Sequence, residues 1–496
     1  MVDAYVGIDI GTSGMKAVLI DREGHVHEAT ATYRPVVIEG GGLEHNPDTW
    51  WQALGEIFRK LSQYGGKTHR VKALGLSGMI PAVLLLDSQK KPLRHAILQN
   101  DSRSEAYVRS WPFTVDEVVQ RVGSRPSVQH VGPRVRWLWD REPDVMARVR
   151  HLVGSAEYLA GLLSGVWRLD ANWALESGLW DYHTQSWVPE YCEAARINGA
   201  WFAPVVPPGS IVGELIHDPT GEASCFRNAP VVLVGADHVA AALGSGLRSV
   251  GDCLIKLGSA GDILVCDDAW RPSPQWFMDY HLVPGQYLPN GCMATSGALL
   301  PWVLEFVNAS HLSWQELDQL AATVPPGSDG LILLPYFAGE KSPIFDGQAR
   351  GTILGLTLSH RAPHLYRAIL EGVAYAFRHH VDVFEEAQVR IRRLVIGDGG
   401  ATSALWVRII ADVLGKPVAP LRQRAASAVG TALAAAEAVD RLGGVLGEQI
   451  IQYRDLVEPD ERSATIYEQG YRVFRDLYKA TQALFPRLAS LSVRDP

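Results

Sequence analysis

At 496 residues, with 47% apolar and 20% charged side chains, the chain is too long for one hydrophobic core and too apolar for extended disorder, so two large domains are expected. The net charge of −8 lacks the basic footprint that a phosphate backbone demands, which argues against nucleic acid as a partner. No uninterrupted apolar run of about 18 residues marks a membrane span, and Met1 to Tyr5 do not open as a secretion signal. Cys192, Cys225, Cys253, Cys266 and Cys292 are widely spaced without a C-x-x-C pair; they read as idle thiols in a reducing, cytoplasmic compartment.

Tyr5 to Ile10 alternates as a strand, Gly11-Thr12-Ser13-Gly14 breaks it, and Met15 to Asp21 resumes it, which predicts a β-hairpin. Asn46-Pro47-Asp48 supplies a cap and first-turn proline for a helix carrying Trp50, Leu54, Ile57, Phe58 and Leu61 on one face. Val71 to Leu76 and Ala82 to Asp87 read as buried strands around the turn Ser77 to Pro81. From Pro126 to Pro208 the chain is rich in Trp and mixed in period, with helices expected near Val131 to Trp139 and Ala156 to Leu163. Val231 to Gly235 is a buried-strand run that leads through Ala236-Asp237-His238 into an Ala-rich helix, and Gly244-Ser245-Gly246 suggests a hinge. A second apolar hairpin begins at Asp252 and turns at Gly258-Ser259-Ala260-Gly261. Its recurrence suggests two related α/β domains, 1–245 and 246–496, facing each other across a cleft. Tyr467, Tyr471, Phe474, Leu477 and Tyr478 predict a C-terminal helix that docks on the body.

In Asp9-Ile10-Gly11-Thr12-Ser13-Gly14-Met15-Lys16, small residues let backbone amides and two hydroxyls approach phosphate oxygens, and Asp9 could hold a hydrated Mg²⁺. The rival reading is a plain tight turn. Gly258 and Ser259 offer a matching turn, which suggests a two-sided clamp. Gly397-Asp398-Gly399-Gly400-Ala401-Thr402-Ser403 joins a strand to a helix and could pass close to a base or a phosphate. Gly339-Glu340-Lys341-Ser342 is not a P-loop, because Glu stands where the motif needs glycine.

Several strings together resemble the FGGY carbohydrate kinases, relatives of actin, hexokinase and the heat-shock ATPases. Gly351 to Leu356, seven residues, then His364 to Gly372 is similar to the family's second signature, and Leu334 to Pro343 to the segment before it. Asp9 to Lys16 resembles its first phosphate motif, and Gly397 to Ser403 with Trp406 and Ile410 to Val413 its adenosine-binding region. The resemblance runs from about Tyr5 to Tyr478. It implies two actin/hexokinase-like (ribonuclease H-like) domains, ATP and Mg²⁺ as cofactors, a small sugar or polyol as partner, and room for a homodimer. On it, Asp237 inherits the role of general base and a substrate contact, Asn100, Asp101 and Arg103 bind sugar hydroxyls, and Asp9 serves the metal. Gly11, Thr12, Ser13, Lys16, Gly258, Ser259, Gly399, Gly400, Ala401 and Ser403 serve the nucleotide.

The implied reaction is phosphorylation of a sugar hydroxyl, nearest to the branch that acts on a ketopentose such as D-xylulose. That branch usually carries Met-His-Gly, or a similar polar string, near Ile80-Pro81-Ala82, and a Trp before Asn-Asp where this chain has Leu98-Gln99. Ile80 and Pro81 cannot donate the hydrogen bond of a histidine, so other ketoses, polyols, sugar acids and a non-catalytic sugar sensor stay open.

Overall fold

In the computed structural model, which describes residues 1–65, 68–221, 224–308, 310–422, 425–489 and 491, the expected hairpin is β1 (Val2–Ile10) and β2 (Gly14–Asp21), paired antiparallel. β3 (Val26–Thr32), β4 (His69–Gly78), β5 (Ser210–Glu214) and β6 (Pro230–Ala236) complete a six-stranded sheet in the order β5-β6-β4-β1-β2-β3. β1, β4 and β6 run parallel. They are covered on both faces, so their sequences are nearly continuous apolar runs. The helix expected after Asn46 spans Pro47–Gly65 and buries Trp50, Leu54, Ile57, Phe58 and Leu61.

The chain divides into two compact units. The first holds Met1–Arg248, Asp268–Leu288 and Ala425–Ile451; the second holds Ser249–Asp267, Pro289–Arg424 and Gln452–Pro496. The sequence-based boundary at 245/246 falls near the first of these breaks, and two later segments return to the first unit. Helix Ala426–Asp440 explains the second return: it lies flush on β1 and β4. A Cβ on Gly7 would meet Ala428 O at 2.2 Å, and one on Gly75 would meet Thr431 O at 2.6 Å. The same helix packs backbone to backbone on helix Asp237–Gly244, where a Cβ on Gly244 would meet Ala426 O at 2.0 Å and one on Gly430 would meet Ala240 O at 1.8 Å. Only a stripe of Gly and Ala allows that approach.

The second unit repeats the plan. β7 (Asp252–Leu257) and β8 (Gly261–Val265) form the second hairpin, followed by β9 (Tyr287–Met293), β10 (Arg393–Gly397) and β11 (Val418–Pro420), in the order β9-β8-β7-β10-β11. β10 runs parallel to β7, as β4 does to β1. The order β3-β2-β1-β4-β6 in the first unit is the same walk across a sheet. The recurring hairpins thus mark a repeated α/β architecture. Within this unit the buried Arg367 donates to Glu371 Oε1 at 2.8 Å and to Tyr467 Oη at 2.9 Å, pinning the C-terminal helix Glu461–Thr481 to helix Ala362–Glu386. Among the described residues no helix is long and apolar enough to cross a membrane.

The glycine stripe yields a stability test. Gly430→Ala should lower stability by about 1–3 kcal/mol through overpacking, read as a fall in the urea midpoint. Gly347→Ala, where a Cβ has nothing within 4 Å, should leave it unchanged.

Candidate active site

The turn after β1 has its carbonyls drawn back. Tyr33 Oη donates to Gly11 O at 2.8 Å, His45 Nε2 to Thr12 O at 2.7 Å, and Tyr33 N to Ser13 O at 3.3 Å. Because a carbonyl only accepts, the His45 proton sits on Nε2, and burial pushes this histidine below its ordinary value toward the neutral form. Among the described residues no acceptor meets the amides of Thr12 and Ser13. Ser13 and Lys16 are exposed, and Lys16 stands cross-strand from Asp9. Asp9 is buried and accepts from Ser77 Oγ at 3.1 Å, which in turn accepts from Thr431 Oγ1 at 2.8 Å. Amides, hydroxyls and an ammonium on one turn suit a polyphosphate, and a carboxylate beneath them suits a hard cation.

The turn between β7 and β8 is built likewise. Gly297 N donates to Gly258 O at 2.8 Å, and Ser296 N and Ala298 N donate to Ser259 O at 2.9 and 3.1 Å. The amides of Ser259 and Ala260 meet no acceptor among the described residues. After β10, Gly399 is exposed and a Cβ there would meet nothing within 4 Å, whereas Gly400 is packed against Leu257 and Trp406. Ser403 caps helix Ala404–Leu414 by accepting from Trp406 N at 3.0 Å, and the Ala401 carbonyl accepts from Arg454. Gly399 is thus the open edge of this loop, and Gly400, Ala401 and Ser403 shape it from below.

Asn100 is exposed, but Asp101 is buried and committed. Arg103 Nε and Nη2 donate to its carboxylate at 2.6–3.1 Å, and Leu43 N donates to its Oδ2 at 2.9 Å. Arg103 also donates to Glu44 Oε1 at 2.6 Å, an oxygen shared with Arg94, and its guanidinium lies 4.6 Å over the Trp137 ring. Burial opposes the Arg103 charge, but Asp101 and Glu44 outweigh it and raise the guanidinium above its usual range. Arg134 is the residue the sequence did not single out. Its buried fork donates to Val128 O at 2.7 Å, Pro81 O at 2.8 Å and Gln99 O at 2.6 Å, and burial pushes it down to about 10. The two strings that depart from the ketopentose pattern, Ile80-Pro81 and Leu98-Gln99, are therefore clamped by one arginine. Its signal was hidden in the irregular stretch before Pro208.

Asp237 begins helix Asp237–Gly244 at the end of β6 and keeps 30% of its side chain exposed. His238 N donates to its Oδ1 at 2.7 Å, and among the described residues Oδ2 accepts nothing. The strand reaches this point because Gly235, at φ +81°, passes over Asp170: a Cβ there would meet Asp170 Oδ1 at 2.1 Å. Asp170 caps helix Ala171–Glu176 through Asn172 N at 2.8 Å, and Glu157 Oε1 accepts from Asp170 N at 3.4 Å. Burial raises both acids, Glu157 to about 7 and Asp170 well above its ordinary value, the latter also through Glu157.

Comparison with known proteins identifies the family of the chain. Residues 4–244 match the N-terminal domain, and residues 275–439 the C-terminal domain, of the FGGY family of carbohydrate kinases. The crystal structure of xylulose kinase from Rhodospirillum rubrum is similar at 36% identity and a TM-score of 0.90, covering 97% of this chain and 99% of that one. Curated xylulose kinases of Staphylococcus epidermidis and Escherichia coli are 26% and 27% identical, covering 99% and 98% of this chain and 99% and 100% of theirs.

The raised Glu157 sets a pH signature. Its folded value of about 7 lies above the ordinary 4.5, so between those values the native chain holds a proton that the unfolded chain releases, and stability falls as pH rises by about 3 kcal/mol. Glu157→Gln should flatten that decline, seen by comparing urea midpoints of the two proteins at about pH 5 and about pH 8.

Proposed function

Because the chain belongs to the FGGY family of carbohydrate kinases, we propose that it transfers the γ-phosphoryl group of ATP to a hydroxyl of an open-chain ketose, D-xylulose first, with Asp237 as the base. The observation that carries this reading is the partly exposed Asp237 carboxylate, one oxygen held by its own helix and the other accepting nothing among the described residues. The names of the xylulose kinases to which the chain is similar support the substrate.

On this reading the sugar oxygen attacks the γ-phosphorus, the bond to the bridging β,γ-oxygen breaks, and ADP leaves while Asp237 Oδ2 takes the hydroxyl proton. An Asp suffices as base because the transition state is loose and the proton moves late. Thr12, Ser13, Lys16, Gly258 and Ser259 bind phosphate oxygens, and Gly399 with Gly400, Ala401 and Ser403 borders the adenosine. Gly11 keeps the first turn tight. Mg²⁺, held through Asp9, would supply charge neutralisation on the phosphates. Asn100 is the exposed group offered to the sugar, while Asp101 and Arg103 act as the ion-paired floor beneath it. The place of such an enzyme is the cytoplasm, where ATP and free thiols coexist.

ADP release with Mg-ATP against a panel of pentuloses, hexuloses, polyols and sugar acids tests the proposal. D-xylulose should give the highest kcat/KM, and Asp237→Asn should lower kcat by about 10²- to 10⁴-fold with the ATP KM kept. Background turnover with every acceptor, unchanged in Asp237→Asn, would falsify it.

A further inference from the structure

His238 follows Asp237 directly, and acid faces its ring from three elements. Nδ1 lies 3.4 Å from Asp237 Oδ1 on its own helix. Nε2 lies 3.1 Å from Asp279 Oδ2 on strand Phe277–Tyr280 and 3.3 Å from Glu176 Oε1 at the end of helix Ala171–Glu176. Single atoms of Glu176, His238 and Asp279 all fall within 4.8 Å of one another. Asp279 is fully buried, and the Glu176 and His238 side chains are 9% and 12% exposed.

The convergence is enforced by the backbone. Asn172 Nδ2 donates to Tyr280 O at 3.0 Å while Tyr280 N donates to Asn172 Oδ1 at 2.7 Å. This two-way clamp fixes the strand bearing Asp279 to the helix bearing Glu176, and Asp170 caps that same helix. Burial alone would strip the imidazole of its proton, but Asp279, Asp237 and Glu176 outweigh it and raise His238 well above its ordinary value. Glu176 is raised as well, by burial first and then by Asp279. Asp170 and Arg134 add longer-range charge to this cluster. With both ring nitrogens facing carboxyl oxygens, a protonated ring would have no lone pair for a metal ion.

Resting on the assignment of Asp237 as base, we propose that His238 is a positioning residue that ties Asp237 Oδ1 to the buried Asp279–Glu176 pair, so that Oδ2 is the oxygen presented to the substrate hydroxyl. A neighbouring cation makes the carboxylate a weaker base. In a loose phosphoryl transfer with late proton movement that loss is small, whereas a misplaced acceptor forfeits the aligned hydroxyl. The trade favours orientation over basicity.

The test is the pH dependence of kcat/KM for the sugar from about pH 6 to about pH 10, in wild type, His238→Asn, Asp279→Asn and Asp237→Asn, per mole of folded protein. The imidazolium form is lost as pH rises through its raised value, so wild type should show an alkaline limb. Asp279→Asn removes the charge holding the proton and should move the limb to lower pH. His238→Asn should abolish the limb and lower kcat about 10- to 100-fold with the ATP KM unchanged. Wild-type kcat and pH profile in both variants, with only a lower melting temperature, would overturn the proposal and leave His238 a packing residue. An inactive Asp237→Asn beside that result keeps the base assignment, whereas a fully active Asp237→Asn removes the base and this proposal with it. Should neither variant fold, His238→Gln decides: a lowered kcat with the ATP KM unchanged supports the proposal, and a wild-type kcat sinks it.

Discussion

Helix Asp237–Gly244 begins where it does because Gly244 and Gly430 let two helix backbones touch. Contact at that distance removes the slack of interdigitating side chains, so the position of the first residue is set by main-chain sterics. β6 arrives from the other side and bends over Asp170 at Gly235. Asp237 therefore inherits its place from three glycines, none of which carries chemistry. A carboxylate mounted on such a seat has little freedom to drift, which is what the proposed role of Asp237 as base requires.

Around that seat, buried charge is handled in closed groups. Glu44 answers Arg94 and Arg103, Asp101 answers Arg103, and Arg134 spends its fork on three carbonyls. A buried ion without partners would be expensive, so each of these groups fixes a geometry rather than adding much net stability. Ser13, Lys16, Asn100 and Gly399 are exposed, and the Asp237 side chain is partly so. The division is physical: paired charges are buried, and these groups face solvent.

The fold was largely legible in the residues. The two hairpins, the helix after Asn46 and the strand before Asp237 all announced themselves by period and punctuation, because each buries one continuous apolar face. Helix Ala426–Asp440 was harder to place: its Ala-rich sequence says helix, but nothing in it says which sheet it covers, and the answer lies in Gly7 and Gly75 more than 350 residues earlier. At the proposed site, chain-local signals were readable in the sequence and distant ones were not. Asp237 sat in a readable strand-to-helix junction, and Asn100 to Arg103 in a readable turn. Glu176, Asp279 and Arg134 lie on regular elements, but their partners are neighbours brought together only by folding. His238 stood in plain view beside Asp237, yet its role depends on two acids that no spacing rule links to it.

The return of Ala425–Ile451 to the first unit also bears on how the protein is made. Translation delivers β1 through β6 early, but the face of β1 and β4 at Gly7 and Gly75 stays bare until the ribosome has added the covering helix. The N-terminal half therefore cannot finish as it emerges, in contrast to the usual order in which early domains close first. Residues 425–451 must be synthesised before the sheet of the first unit is covered, and until then the nascent chain carries an uncovered apolar face.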